Sequence, residues 1–183
     1  MHDLEKIIQR CKKNDPKAQK ELYDYYAPIL YAICLRYVSE KSAAADILQE
    51  GFLKILTKID DYSGLGSFEG WMKRVIINTA ITDYHKNKKY SYHLEITEIK
   101  EIKTDGNQIW GLDFTQEELL NVIKTLPEGY RIVFNMYAIE GFKHKEIARE
   151  MNIDVSTSKS QYSRAKKLIQ KKLAELSKIK LHE

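Results

Sequence analysis

Between Lys159 and Lys180 the chain carries eight lysines or arginines against a single acid, Glu175. Positive side chains at that density neutralise phosphate, and short polar groups beside them, here Ser156, Thr157, Lys159 and Ser160, are of the type that reaches base edges in a major groove. The spacing suits this chemistry. Val155, Ser158, Tyr162, Ala165, Ile169, Leu173 and Leu176 recur at steps of three or four and predict one inward stripe of a helix. Lys159, Ser160, Ser163, Arg164, Lys167 and Lys171 fall outside it.

Two further constellations could bind macromolecules. In SAAADILQEGFLKILTKID, Asp46, Gln49, Glu50, Leu53 and Thr57 line the side of a helix opposite Leu48, Phe52, Ile55, Leu56 and Ile59. Leu53 is thus a large apolar side chain on an acidic, outward strip, which describes either a partner's docking face or a chance surface leucine. In FEGWMKRVIINTAITDYHKNKK, Arg74, Asn78, Thr82 and His85 form a polar strip leading into Lys86, Lys88 and Lys89, with Tyr84, Tyr90 and Tyr92 interleaved. Lysines take phosphate and rings take unstacked bases, as single-stranded nucleic acid requires. The plainer account is a helix end whose lysines complement its dipole.

Catalytic chemistry finds no footing. The sequence has no G-x-x-x-x-G-K, no nucleophile elbow and no H-E-x-x-H, and Asp60 and Asp61 sit where a turn or helix cap explains them. Cys11 and Cys34 lie on apolar helix faces without ligand spacing and read as buried structural thiols. No catalytic residue, metal site or cofactor is expected.

The elements that position these residues are helices throughout. Leu4, Ile7, Ile8 and Cys11 stripe a first helix; Asp15 and Pro16 then read as N-cap and first-turn proline of a second, with a kink or break expected at Pro28. The five tyrosines from Tyr23 to Tyr37 are read as mostly core. A third helix begins near Ser42. The loop DDYSGLGS leads to a fourth with Phe68, Trp71, Met72, Val75 and Thr79 inward. Helical spacing lapses from 90 to 115 and resumes in TQEELLNVIKTL, PEGYRIVFNMYAIEG and KHKEIAREM. Gly141 closes one helix, Asn152 suits a left-handed turn, and Asp154 or Ser156 caps the last helix. Ser158 is anomalous, because a helix-turn-helix usually buries a branched aliphatic there.

The 183 residues are 43% hydrophobic and carry a net charge of +4, enough for one domain or two small ones. Charge is uneven: residues 89 to 115 hold 3 basic and 5 acidic groups, and residues 116 to 183 hold 13 and 9. No apolar run approaches the roughly 20 residues that span a bilayer, and the N-terminus does not read as a signal sequence, so a cytoplasmic protein without membrane insertion is expected.

Three ordered blocks, DILQEGFLKIL, GSFEGWMKRVIINTAITDYHK and LPEGYRIVFNMYAIEGFKHKEIAREMNIDVSTSKSQYSRAKKLI, closely resemble extracytoplasmic-function (ECF) sigma factors of the sigma-70 family. The resemblance implies an all-α chain of two small helical domains joined by a linker, the second with a helix-turn-helix. Region 2 is expected over 1–89, the linker over 90–115 and region 4 over 116–183. By the same resemblance Asp46, Gln49, Glu50 and Leu53 dock on core RNA polymerase. Ser63, Phe68, Trp71, Arg74, Asn78 and Lys86 read and melt the minus-10 element of promoter DNA, with the loop Ser63 to Gly70 capturing an extruded base. Ser156, Thr157, Lys159, Ser160, Arg164 and Lys167 read the minus-35 element. An anti-sigma factor is the further partner implied.

This chain departs from the family pattern at Lys86, Ser158, Gln161 and Tyr162, and Gly51 is expected to loosen the docking helix. Two rival readings of the residues remain open. One is a stand-alone helix-turn-helix regulator with an N-terminal signal or partner domain; the other is a helical adaptor that does not touch DNA.

Overall fold

The computed structural model describes residues 4–90 and 114–180, all helices and connecting turns, with no strand among the described residues. The linker expected over 90–115 lies almost wholly outside them. The chain divides into two compact units, Met1–Tyr84 and His85–Glu183.

The first unit holds α1 (Leu4–Lys12), α2 (Pro16–Tyr37), α3 (Lys41–Thr57) and α4 (Phe68–Tyr90) as far as Tyr84, with a short 3₁₀ turn at Ile59–Asp61; the end of α4 from His85 on belongs to the second unit. Asp15 starts α2 as the sequence predicts: its Oδ1 accepts from the N–H groups of Lys17 and Ala18 at 2.9 and 3.4 Å, and Pro16 occupies the first turn. The side-chain bond from Arg10 and these two backbone donors hold its carboxyl below the usual range. Of the kink or break expected at Pro28, the break does not occur. Pro28 and Asp24, whose carbonyl loses its helical donor there, are both exposed, so the missing bond falls on the solvent side of the helix.

Leu22, Leu30, Tyr37, Ile55, Met72, Ile76 and Ile77 fill the core of this unit. Of the five tyrosines read as mostly core, Tyr26 and Tyr37 are buried, whereas Tyr23 and Tyr25 are exposed. Cys11 and Cys34 are buried, and burial pushes both thiols up, Cys34 to about 12, so neither is a nucleophile at neutral pH.

The second unit contains α5 (Gln116–Lys124), α6 (Glu128–Phe134) running into a π-helical turn at Asn135–Ile139, α7 (His144–Met151) and α8 (Val155–Lys180). A nine-residue helix is marginal alone, since isolated helices need about 12–15 residues. A capping box therefore matters at α5. Thr115 Oγ1 accepts from the N–H of Glu118 at 3.2 Å, and Glu118 Oε2 accepts from the N–H of Thr115 at 2.7 Å. Its other end is held by Arg131, a buried cation whose Nη1 donates to the carbonyl of Lys124 at 2.9 Å. The long α8 packs on α5, α6 and α7 over a core of Ile132, Val133, Met136 and Ile147.

Candidate functional site

On α3 the acidic strip faces out. Asp46 and Gln49 are exposed and Glu50 is half-buried. Lys54, one turn on, donates to Glu50 Oε1 at 2.6 Å and to Thr79 Oγ1 on α4 at 3.4 Å, so Glu50 is oriented by a cation that also touches the next helix. Leu53 is 64% exposed. It lines a groove of about 500 Å³ between α2 and α3 together with Tyr23, Phe52 and Leu56, with Lys20 and Gln49 also lining it. Tyr23 meets Phe52 edge-on at a centroid distance of 4.9 Å. The sequence reading missed the α2 half of this surface, because Tyr23 lies at a helical spacing that fits a core position equally well.

Gly51, expected to loosen the helix below the strip, sits where that helix crosses α4. Gly51 is buried, and a Cβ there would meet Ile76 Cδ1 at 2.5 Å, so the glycine serves close packing of α3 on α4.

The loop before α4 is a small aromatic box. Tyr62 packs edge-on to Phe68 at 5.0 Å and tilted to Trp71 at 5.8 Å, while Phe68 and Trp71 stack at 5.5 Å. Tyr62 donates its hydroxyl to the carbonyl of Gly66 at 2.8 Å and pins the loop tip. Gly64 and Gly66 have φ of +78° and +83°, a region that side chains with a Cβ seldom adopt. Ser67 Oγ accepts from the N–H of Gly70 at 2.9 Å and starts α4. Beside the loop, Tyr62, Ser63, Gly64 and Phe68 share a cleft with Ile8 and Gln9 of α1.

Of the residues expected here, Ser63, Arg74, Asn78 and Lys86 are exposed and Trp71 is half-buried. Phe68 is only 3% exposed, so it supports the box from beneath rather than offering an open face. Lys86 and Lys88 are exposed on the last turns of α4; of the rings interleaved with them, Tyr84 is half-buried, and Tyr90 and Tyr92 lie outside the described side chains. The inward face is also broader than its stripe suggests, since Ile76, Ile77, Ala80 and Ile81 are buried and Val75 is only half-buried.

In the second unit α7 and α8 make a helix-turn-helix. Glu146 Oε2 accepts from the N–H of Lys143 at 2.9 Å to start α7. Asn152 ends it in the left-handed conformation, φ +51° and ψ +52°, and Ile153 donates back to Ala148 at 3.0 Å. Asp154 then sits immediately before α8. Ser156, Lys159, Ser160, Arg164 and Lys167 are exposed on α8, and Thr157 is half-buried. Ser160 donates its hydroxyl to the carbonyl of Thr157 at 2.9 Å, and Arg164 Nη1 donates to the Tyr130 hydroxyl at 3.3 Å. Val155, expected in the inward stripe, is exposed as the first residue of the helix.

Ser158 is fully buried, and its Oγ shares a 2.9 Å hydrogen bond with Nδ1 of His144 at the start of α7. His144 stacks on Tyr137 at 4.3 Å and 15° and meets Tyr162 edge-on at 5.9 Å. Burial, and secondarily Lys159, lowers the pKa of His144. Nothing in the spacing of His144 marked it, because its partners come from elements 7 and 14 or more residues away.

These surfaces coincide with matched family regions. The Sigma-70 region 2 family matches residues 22–90, and the Sigma-70, region 4 family matches residues 116–169. The chain is 28% identical to the ECF RNA polymerase sigma factor SigW of Bacillus subtilis, covering 94% of this chain and 98% of that protein. It is 24% identical to the ECF RNA polymerase sigma-E factor of Haemophilus influenzae, covering 93% of this chain and 95% of that protein. The sigma factor RpoE of Bartonella quintana, solved in complex with the anti-sigma factor NepR, has the same fold, with a TM-score of 0.53 at 18% identity over 85% of this chain and 96% of that one. Region 2 followed by region 4, in a chain that spans nearly the whole length of such relatives, settles the family: this protein belongs to the ECF sigma factors of the sigma-70 family and is an RNA polymerase sigma factor.

Proposed function

We propose that the first unit docks on core RNA polymerase and opens the minus-10 element, while the second reads the minus-35 element as duplex. Asp46, Gln49, Glu50 and Leu53, joined by Tyr23, form the polymerase-docking surface: acids steer a basic partner and the apolar groove supplies the buried contact. Ser63, Trp71, Arg74, Asn78 and Lys86 contact the opened minus-10 strand, with Phe68 as support. Ser156, Thr157, Lys159, Ser160, Arg164 and Lys167 contact the minus-35 duplex, the lysines and Arg164 supplying affinity and the short polar side chains specificity.

The observation that carries this reading is the pinned glycine loop. Its aromatic box lies beside a cleft, on the helix that also bears Arg74 and Asn78. Binding energy for an unstacked base at such a loop offsets the few kcal/mol of extrusion, so strand opening needs no catalytic centre and the protein is no enzyme. No helix among the described residues is long and apolar enough to cross a membrane, which accords with action in the cytoplasm. An anti-sigma factor is the expected regulatory partner. Transcription in vitro with purified core polymerase over a randomised promoter library tests the proposal: enrichment of two spaced elements supports it, and enrichment of neither refutes it.

A further inference from the structure

We propose that His144 is a positioning residue for the minus-35 reading helix, setting the seat of the first turn of α8 through its hydrogen bond to Ser158. The inference rests on the reading of α8 as the minus-35 helix and adds a residue outside the DNA-facing set. Ser158 lies in the middle of that set, between Thr157 and Lys159, but points into the core and is fully buried. A hydroxyl without a partner at such a position is costly, so its bond to His144 Nδ1 at 2.9 Å is the contact that makes a serine tolerable there.

The ring that receives it is itself fixed. Tyr137 stacks on one face at 4.3 Å, Tyr162 abuts it from α8 at 5.9 Å, and Tyr162 in turn lies 4.5 Å from Tyr137. His144 thereby ties three elements: the π-helical turn, α7 and α8. A buried branched aliphatic would fill the slot by volume alone. The serine-histidine bond instead fixes direction, because a hydrogen bond weakens steeply when its angle is lost. Ser156, Thr157, Lys159 and Ser160 are within two residues of Ser158, so a shift of this turn carries them with it. Contacts that specify need placement within about 0.5 Å.

The test uses holoenzyme assembled from the full chain and core polymerase, on a promoter chosen from a randomised library and on templates altered base by base in each element. His144→Phe keeps the stacking and removes the nitrogen; Ser158→Val removes the hydroxyl; the double variant removes both. Each single variant is expected to lose minus-35 discrimination about three- to tenfold, and the double to lose no more than the worse single, because all three lack the same bond. Discrimination at the minus-10 element should stay unchanged in all three. Full minus-35 discrimination in both single variants, a double variant that regains it, or a double whose loss is the sum of the two single losses overturns the proposal. Equal losses at both elements also overturn it, since they would mean general unfolding. If the unsubstituted holoenzyme shows no minus-35 dependence, the reading of α8 itself falls, a result distinct from failure of His144.

Discussion

A methyl group placed on Gly51 would lie 2.5 Å from Cδ1 of Ile76. The two helices that carry the proposed docking strip and the proposed minus-10 residues therefore meet where one has no side chain. Gly51→Ala removes the helix penalty of glycine, about 1 kcal/mol, and imposes overpacking that costs roughly 1–3 kcal/mol. The net is neutral to destabilising. Ile76→Val deletes the offending Cδ1 at a cost of about 1 kcal/mol by itself. In that background Gly51→Ala should become stabilising, giving a coupling of at least about 1 kcal/mol in denaturant unfolding. Strictly additive changes would show that the close approach is not what the glycine is for.

Gly51 also marks the limit of what the chain reveals before it is folded. Helix positions, caps and most of the outward strips are readable because they depend on spacing within one element: Asp15 with Pro16, Asn152, and the sequence of Asp46, Gln49 and Leu53. The role of Gly51, the exposure of Tyr23 and the partner of Ser158 depend on which helix crosses at that point. No periodicity encodes that crossing. Hence Gly51 reads only as flexibility although it lies at a close helix crossing, and Ser158 reads as an anomaly until His144 is beside it.

Charge reversal should separate docking from folding. Asp46→Lys with Glu50→Lys places two cations on an outward strip, so stability should change by no more than about 1 kcal/mol. Affinity for core polymerase, measured by anisotropy of a labelled chain, should fall at least about tenfold. Leu53→Asp, which spoils the groove wall without touching the core, should give a similar loss. Unchanged affinity in both variants would remove the strip from the interface.

Tyr62→Phe removes only the hydroxyl bonded to Gly66. The lost bond is worth about 1 kcal/mol, so the fold survives, but the loop tip is no longer pinned. Open-complex yield should drop several-fold while polymerase affinity holds. An unchanged yield would mean that the loop does not need this conformation to engage DNA.

His144 gives the protein a pH signature with a definite sign. Its pKa is lowered in the folded state, chiefly by burial, so between the ordinary histidine value near 6.5 and the lower folded value the unfolded chain binds more protons. The associated stability is present above about pH 6.5 and is lost as pH falls through the folded pKa. The midpoint of thermal unfolding of the second unit should therefore fall from about pH 7.5 to 5.5, and the slope should be shallower in His144→Phe with Ser158→Val. Parallel pH profiles for the two proteins would exclude His144 as the source.

Salt distinguishes the two kinds of residue on α8. Lys167 is exposed well along the helix, beyond the turn that holds Thr157 and Ser160, and in the proposed reading it takes a phosphate rather than a base. Lys167→Ala should weaken binding to every duplex alike and reduce the slope of log affinity against log salt by about 0.9, the counterion release of one phosphate contact. Ser160→Ala should leave that slope alone and change only the ranking of minus-35 sequences, because a neutral hydroxyl releases no counterion. The slope is measured with holoenzyme on a fixed promoter at several salt concentrations. A slope that responds to Ser160 and not to Lys167 would invert the division of labour along this helix.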